Sequence, residues 1–171
     1  LWGVNRLSPA CYRKLLIKGR YNISATCGKL FRRTLFDEYT LRTPREIVMG
    51  EDMLMNLRLA FASSKPVRLV GGNSVYNYIQ HGGNITHVFK LTADYEHIFH
   101  KERLLSIPEE EHARYMPVMI YRRLRMLRRI LRCAQKDNTV EELRTSAFVK
   151  ELLADIHAIR YTFWRYPHWR L

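Results

Sequence analysis

Two stretches of this sequence carry side chains of the right types and spacing to do chemistry. The first is Gly50-Glu51-Asp52-Met53-Leu54-Met55-Asn56, where two adjacent carboxylates precede an apolar-periodic run. A helix opening at Glu51 puts both acids in its first turn, where unpaired N–H groups and the helix dipole favour negative charge. Two uses fit that pattern. One is simple stabilisation of a helix start. The other is a general base, a carboxylate placed to take the proton of a hydroxyl as that oxygen forms a new bond. The second stretch is Tyr76-Asn77-Tyr78-Ile79-Gln80-His81-Gly82-Gly83-Asn84-Ile85-Thr86-His87. Aromatic residues lead into a glycine-containing loop with two imidazoles, an amide and a hydroxyl. Such a loop can approach a diphosphate closely and donate several hydrogen bonds, or it can be a polar surface loop after an edge strand. The histidine spacing does not match a helical zinc pair, so no metal ligands are expected in this chain.

The elements that must position these residues follow from local signals. Ser8-Pro9 reads as an N-cap and first turn of a helix that Gly19 ends. Lys29 to Phe36 reads as a second helical piece, with Leu30, Phe31, Leu35 and Phe36 as its apolar side. Asp37 to Met49 reads as an irregular loop, with Pro44 restricting Thr43. Glu51 to Ala62 is a strong helix, its Leu54, Leu57 and Phe61 recurring at helical spacing. Val67, Leu69 and Ser74 to Ile79 read as strands around the turn Gly71-Gly72-Asn73. Beyond Leu91 helical patterns take over, at roughly 91–105, 112–135 and 140–160. The first ~90 residues are therefore expected to be mixed α/β and the rest mostly helical, with a boundary near Val88-Phe89-Lys90.

With 171 residues, 47% of them hydrophobic, the chain has enough apolar material for a packed core. No window approaches the run of about 18 apolar residues that spans a bilayer. Leu1-Trp2-Gly3 lacks the pattern of a signal peptide and has no initiating Met, which points to a fragment of a longer protein. Twenty-nine basic against sixteen acidic side chains give a formal charge of +13, which attracts an anionic partner: nucleic acid, a lipid surface or a phosphorylated substrate. Cys11, Cys27 and Cys133 are odd in number and widely spaced, which suits a reducing compartment and no disulfide framework.

Taken together, Cys27-Gly28-Lys29-Leu30-Phe31-Arg32-Arg33-Thr34-Leu35-Phe36, Gly50-Glu51-Asp52, Val75-Tyr76-Asn77-Tyr78 and the loop His81 to His87 resemble, in order and spacing, the second half of bacterial family-2 glycosyltransferases. The resemblance covers roughly residues 20–90. It implies an α/β fold: the second half of a GT-A-type domain in residues 1–90, then a helical carboxy-terminal appendage in residues 91–171. It implies inverting transfer from a nucleoside-diphosphate sugar, UDP-linked by expectation, to a saccharide or lipid-linked acceptor in cell-envelope polysaccharide synthesis. Asp52 would be the catalytic base, with Glu51 contacting the acceptor or supporting the loop. His81, Asn84 and Thr86 would lie on the loop closing over the donor diphosphate. Lys29 and Tyr76 would be structural or acceptor-side. The chain departs from the family where Cys27 replaces a usual Trp and Asn84 a usual Ser. It also holds no Asp-x-Asp, the motif that carries a divalent metal (Mn or Mg) in the family's amino-terminal half. The chain alone is therefore expected to be inactive.

Ile120, Leu124, Leu127 and Leu131 form an apolar stripe, and Arg122, Arg123, Arg125, Arg128, Arg129 and Arg132 crowd the remaining surface with no acid among them. This is a solvated basic face, a helix lying on an anionic membrane, or a nucleic-acid contact. The tail Tyr161 to Arg170 interleaves aromatic and basic residues, as interfacial segments often do. The expected location is cytoplasmic, peripheral on the inner face of the cell membrane. The alternative to an enzyme is a basic helical module binding nucleic acid or an anionic membrane surface, although no RRM, KH or zinc-finger pattern is present and specific nucleic-acid recognition is not expected.

Overall fold

The structure is a computed structural model. It describes residues 6–19, 21–70, 79, 82 and 88–159. Among these, 68% are helical and the only sheet has two strands, so helices rather than a sheet organise what is seen. The chain divides into two compact units, each treated by itself: residues 1–89 with 105–108, and residues 90–104 with 109–171.

In the first unit, β1 (Arg6–Leu7) pairs antiparallel with β2 (Val67–Arg68), Arg6 opposite Arg68 and Leu7 opposite Val67. Helix α1 (Pro9–Lys18) starts where the Ser8 hydroxyl accepts from the Cys11 N–H at 3.2 Å. It stops at Gly19, whose left-handed φ of 66° lets its N–H turn back to the Leu15 and Leu16 carbonyls. Its buried face, Tyr12, Leu16 and Ile17, packs on α4 (Glu51–Ala62), which buries Met53, Leu54, Leu57, Leu59 and Ala60. Arg13 ties the two together. Its guanidinium donates to the carbonyls of Ala60 at 3.0 Å and Ser63 at 3.1 Å and lies over the Phe61 ring. It thereby satisfies carbonyls that the end of α4 leaves unpaired and sets a cation at the negative end of that helix.

Two local expectations fail here. Residues 29–32 form no helix, and only a 3-10 turn, Arg33–Leu35, follows, leaving Leu30 fully exposed. The expected loop contains a short helix, α3 (Glu38–Leu41), which follows α2 (Tyr21–Ser24) in order. A capping box starts α3: the Asp37 carboxylate accepts from the Thr40 N–H at 2.7 Å, and the Thr40 hydroxyl accepts from the Asp37 N–H at 2.8 Å. Buried Arg58 of α4 donates to the Ser106 hydroxyl at 3.1 Å and to the Arg42 carbonyl.

The second unit is built from α5 (Ala93–Leu105), α6 (His112–Asp137), α7 (Val140–Thr145) and α8 (Ala147–Ala158). Its core joins Ile120, Ile130 and Ala134 of α6 to Leu143, Phe148 and Leu152. The continuous helix expected over 140–160 is broken at Ser146. The Ser146 hydroxyl donates to the Leu143 carbonyl and caps α8 by accepting from the Val149 N–H. An ionic layer runs through this unit. Arg123 of α6 bonds Asp155 at 2.7 Å and Glu151 at 3.2 Å, His97 bonds Glu151 at 2.9 Å, and Arg103 pairs with Glu96 at 3.3 Å. His100 is held neutral, its pKa pushed down to about 2 by burial and then by Arg103 and Arg123. Its Nδ1 accepts from Arg103 at 3.2 Å, and its 3.7 Å approach to Asp155 is that of a neutral ring beside a carboxylate.

Among the described residues no helix is long and apolar enough to cross a membrane. Cys11, Cys27 and Cys133 are free and exposed.

Candidate functional site at the start of helix α4

Gly50 sets the geometry of the candidate site. Its φ of 90° belongs to the left-handed region that glycine enters without a Cβ clash, and from that bend its carbonyl accepts the N–H groups of Met53 at 3.0 Å and Leu54 at 3.2 Å. The chain thus enters α4 abruptly, with Glu51 and Asp52 in the first turn as expected. Glu51 is exposed and forms no ion pair among the described residues. Asp52 is half-buried and engaged at both oxygens by one residue: the Thr26 hydroxyl donates to Oδ1 at 2.7 Å and the Thr26 N–H to Oδ2 at 3.3 Å.

One helical turn further on, buried Asn56 points the same way and donates from Nδ2 to the Ser24 carbonyl at 2.6 Å. Its Oδ1 has no partner among the described residues. The face Asp52–Asn56 therefore grips the segment 24–26 and lays it along α4. Lys29 stands beside this contact, donating to the Ala25 carbonyl. Burial pulls the Lys29 pKa below its ordinary value, and the opposing pull of the Asp52 charge, then that of Cys27, only partly offsets it. Acid, amine and hydroxyl thus lie within electrostatic reach of one another.

A carboxylate offers about four lone-pair directions, and Thr26 takes two of them. Asp52 can still accept one further proton donor, which is what a general base needs. Glu51 can reach a hydroxylated ligand from its exposed position in the same turn. A divalent cation does not fit here: both Asp52 oxygens already face donors, Lys29 places a positive charge alongside, and no group of three or more His, Cys, Asp or Glu is gathered among the described residues. The one Asp-x-Glu of the sequence, Asp94-Tyr95-Glu96, lies in α5 with Glu96 buried against Arg103 and Asp94 exposed, so its two acids do not converge. An open depression of about 590 Å³ is lined by Asp37, Glu38, Tyr39 and Arg42 on α3 rather than by these residues.

His81, Asn84, Thr86 and Tyr76 lie outside the described residues, as does the strand expected over Ser74 to Ile79 except for Ile79 itself, which is exposed and in no strand. Of the residues singled out from sequence, the structure brings Asp52 and Lys29 together, with Glu51 next to Asp52 in the turn. Thr26 and Asn56 were missed. Asn56 carried only the signal of a polar residue one turn after Asp52 on the same side of the helix, about 130° from the face that Leu54 and Leu57 mark. Thr26 carried none, since its role depends on a contact across 26 positions. Comparison with protein-family models, with curated proteins and with solved structures gave no match for this chain.

Proposed function

We propose that this chain forms the acceptor-side part of an inverting glycosyltransferase that moves a sugar from a nucleoside-diphosphate donor, UDP-linked, to a saccharide or lipid-linked acceptor in cell-envelope polysaccharide synthesis. The enzyme works in the cytoplasm, against the inner face of the cell membrane. The observation that carries this reading is Asp52: a carboxylate at a helix start, oriented through both oxygens by Thr26, with lone pairs left over. In the reaction the acceptor hydroxyl oxygen forms a bond to the anomeric carbon as the bond from that carbon to the diphosphate oxygen breaks. The hydroxyl proton passes to Asp52, and the nucleoside diphosphate departs with the bonding electrons. Positioning supplies much of the rate, and a carboxylate fixed by two hydrogen bonds gives it. Glu51 binds the acceptor. His81, Asn84 and Thr86 donate to the diphosphate, while Lys29 and Tyr76 support the acceptor side. A divalent metal, Mn or Mg, belongs to the nucleotide-binding half of such an enzyme and would neutralise charge on the diphosphate there.

A second reading has its own observation in favour. Because both Asp52 oxygens bind Thr26, the pair can be a structural clamp for the segment 24–29. Asp52→Asn separates the two. Asparagine can turn its oxygen to accept from the Thr26 N–H and donate its amide to the Thr26 hydroxyl, so the clamp is largely retained, but it cannot take a proton. Assayed with the nucleotide-binding half present, Asp52→Asn is expected to lower turnover about a hundredfold or more with donor affinity little changed. Thr26→Val removes the hydroxyl yet leaves the carboxylate, and is expected to cost less turnover than Asp52→Asn. Equal losses in the two variants, tracking loss of thermal stability, would establish the clamp instead.

A further inference from the structure

The six arginines between positions 122 and 132 of α6 look equivalent in sequence, and the structure sorts them. Arg123 is fully buried against Glu151 and Asp155, and Arg122 is half-buried. Burial first, and then Arg103, Arg125 and Arg129, pull the Arg122 pKa down to about 10 against the opposing pull of Glu96. Arg125, Arg128, Arg129 and Arg132 are exposed, and Lys136 joins them. At 100° per residue these five side chains fall within an arc of about 100°, and at 1.5 Å per residue they extend over about 16 Å of helix. No acidic residue occurs between His112 and Lys136, and among the described residues none of the five forms an ion pair.

The opposite side of the same helix is committed. Met126, Ile130 and Ala134 are buried, and the flanking Leu124, Leu127 and Leu131 pack against the core shared with α7 and α8. An amphipathic helix that inserts into lipid needs its apolar side free. This one has only its cations to offer.

We propose that the outward row Arg125, Arg128, Arg129, Arg132 and Lys136 is a docking surface for an anionic phospholipid membrane, on which the folded unit rests by charge alone without inserting the apolar side of α6. Charge complementarity carries the choice of partner, since a polybasic row on a helix is attracted to the negative surface of acidic lipids. Shape favours a plane over a nucleic acid. A groove embraces a helix around much of its circumference, whereas here the far side is packed on the core and the exposed side, from Gln135 to Cys133, spans about 160°. No aromatic side chain lies between Arg125 and Lys136 to stack on bases. The proposal does not depend on the glycosyl-transfer reading, because it uses no residue of the α4 site.

The test is co-sedimentation of the full chain with phosphatidylcholine vesicles prepared with and without phosphatidylserine. Binding is expected only with phosphatidylserine, and raising the salt to about 0.5 M should release it, as screening shortens the reach of these charges. Changing Arg125, Arg128, Arg129 and Arg132 together to Gln should weaken binding several hundredfold, at roughly 1 kcal/mol per cation near the surface. Changing the same four to Lys should leave it within about threefold, because the charge is what matters. The four sites are exposed, so an unchanged melting curve will show that the fold is intact. Equal binding to neutral vesicles, full retention at high salt, or wild-type binding by the Gln variant would each overturn the proposal. Tighter binding to duplex DNA or RNA than to the anionic vesicles, at matched phosphate and salt, would replace the membrane with a nucleic acid.

Discussion

Replacing Arg123 with methionine removes the centre of the ionic layer in the second unit while keeping an unbranched side chain of useful length. Arg123 is 0% exposed and is bound by Asp155 at 2.7 Å, Glu151 at 3.2 Å and the Phe148 carbonyl at 3.3 Å, with its guanidinium 5.2 Å from the Phe148 ring. Breaking a buried ion pair from one side costs about 3–5 kcal/mol, because the partner is left uncompensated. Here the carboxylates retain 24% (Asp155) and 38% (Glu151) exposure, so water relieves part of the cost and the low end, about 3 kcal/mol, is expected. Native-state hydrogen exchange on the full chain reads this locally: the slow amides of α8 should exchange on the order of a hundredfold faster. The deficit should also depend on pH. Asp155 already has a raised pKa, from burial first, and Arg123 opposes that rise. Without Arg123 the folded-state pKa climbs further above the unfolded value. A group raised in this way is least costly below its unfolded pKa and most costly above its folded pKa. The deficit should therefore shrink as the pH falls from neutral towards the carboxylate range, and adding Asp155→Asn to Arg123→Met should recover part of the loss. A loss below about 1 kcal/mol, or one that grows on acidification, would refute the idea that this layer is a buried charge cluster centred on Arg123.

His100 makes the opposite contribution. Its folded pKa of about 2 lies below the ordinary histidine value of 6.5, so the stability it contributes is whole above pH 6.5 and declines as the pH falls towards 2. Unfolding free energies measured from pH 6 to pH 4 should fall more steeply for the wild type than for His100→Gln, by at most about 1.4 kcal/mol per pH unit. Gly50→Ala places a Cβ on a residue with φ of 90° and should cost about 1–2 kcal/mol in chemical denaturation. On the proposed glycosyl-transfer reading it should also reduce turnover, by misaligning Asp52. On the same proposed reading, His81→Ala with Asn84→Ala should raise the KM for the donor more than it lowers kcat, in contrast to Asp52→Asn. Steady-state kinetics with each substrate varied in turn distinguishes the two.

Some of this architecture was written locally in the chain. Ser8-Pro9 and Gly19 bound α1, and Gly50 followed by two acids opens α4, because caps and dipole contacts reach only a few residues and can be read in order. The capping box of α3 was equally local, since Asp37 and Thr40 supply both of its bonds. The expected irregular loop overlooked it. Lys29 to Phe36 misled in the other direction: four apolar side chains suggested a helical face, yet Leu30 meets no core and the segment forms no helix before its 3-10 turn. For the site, the sequence determined that a Glu-Asp pair begins a helix. Only the tertiary structure decided that Thr26 holds both oxygens of Asp52, that Asn56 binds Ser24 and that Lys29 stands close by. The same division separates the arginines. Their number and helical spacing are properties of the sequence, but which one turns inward depends on the carboxylates of Glu151 and Asp155, some 30 positions away. Local sequence sets the phase of a helix relative to itself; a partner helix sets its phase relative to the core, and at Arg123 that second choice separates a buried ion pair from a surface charge.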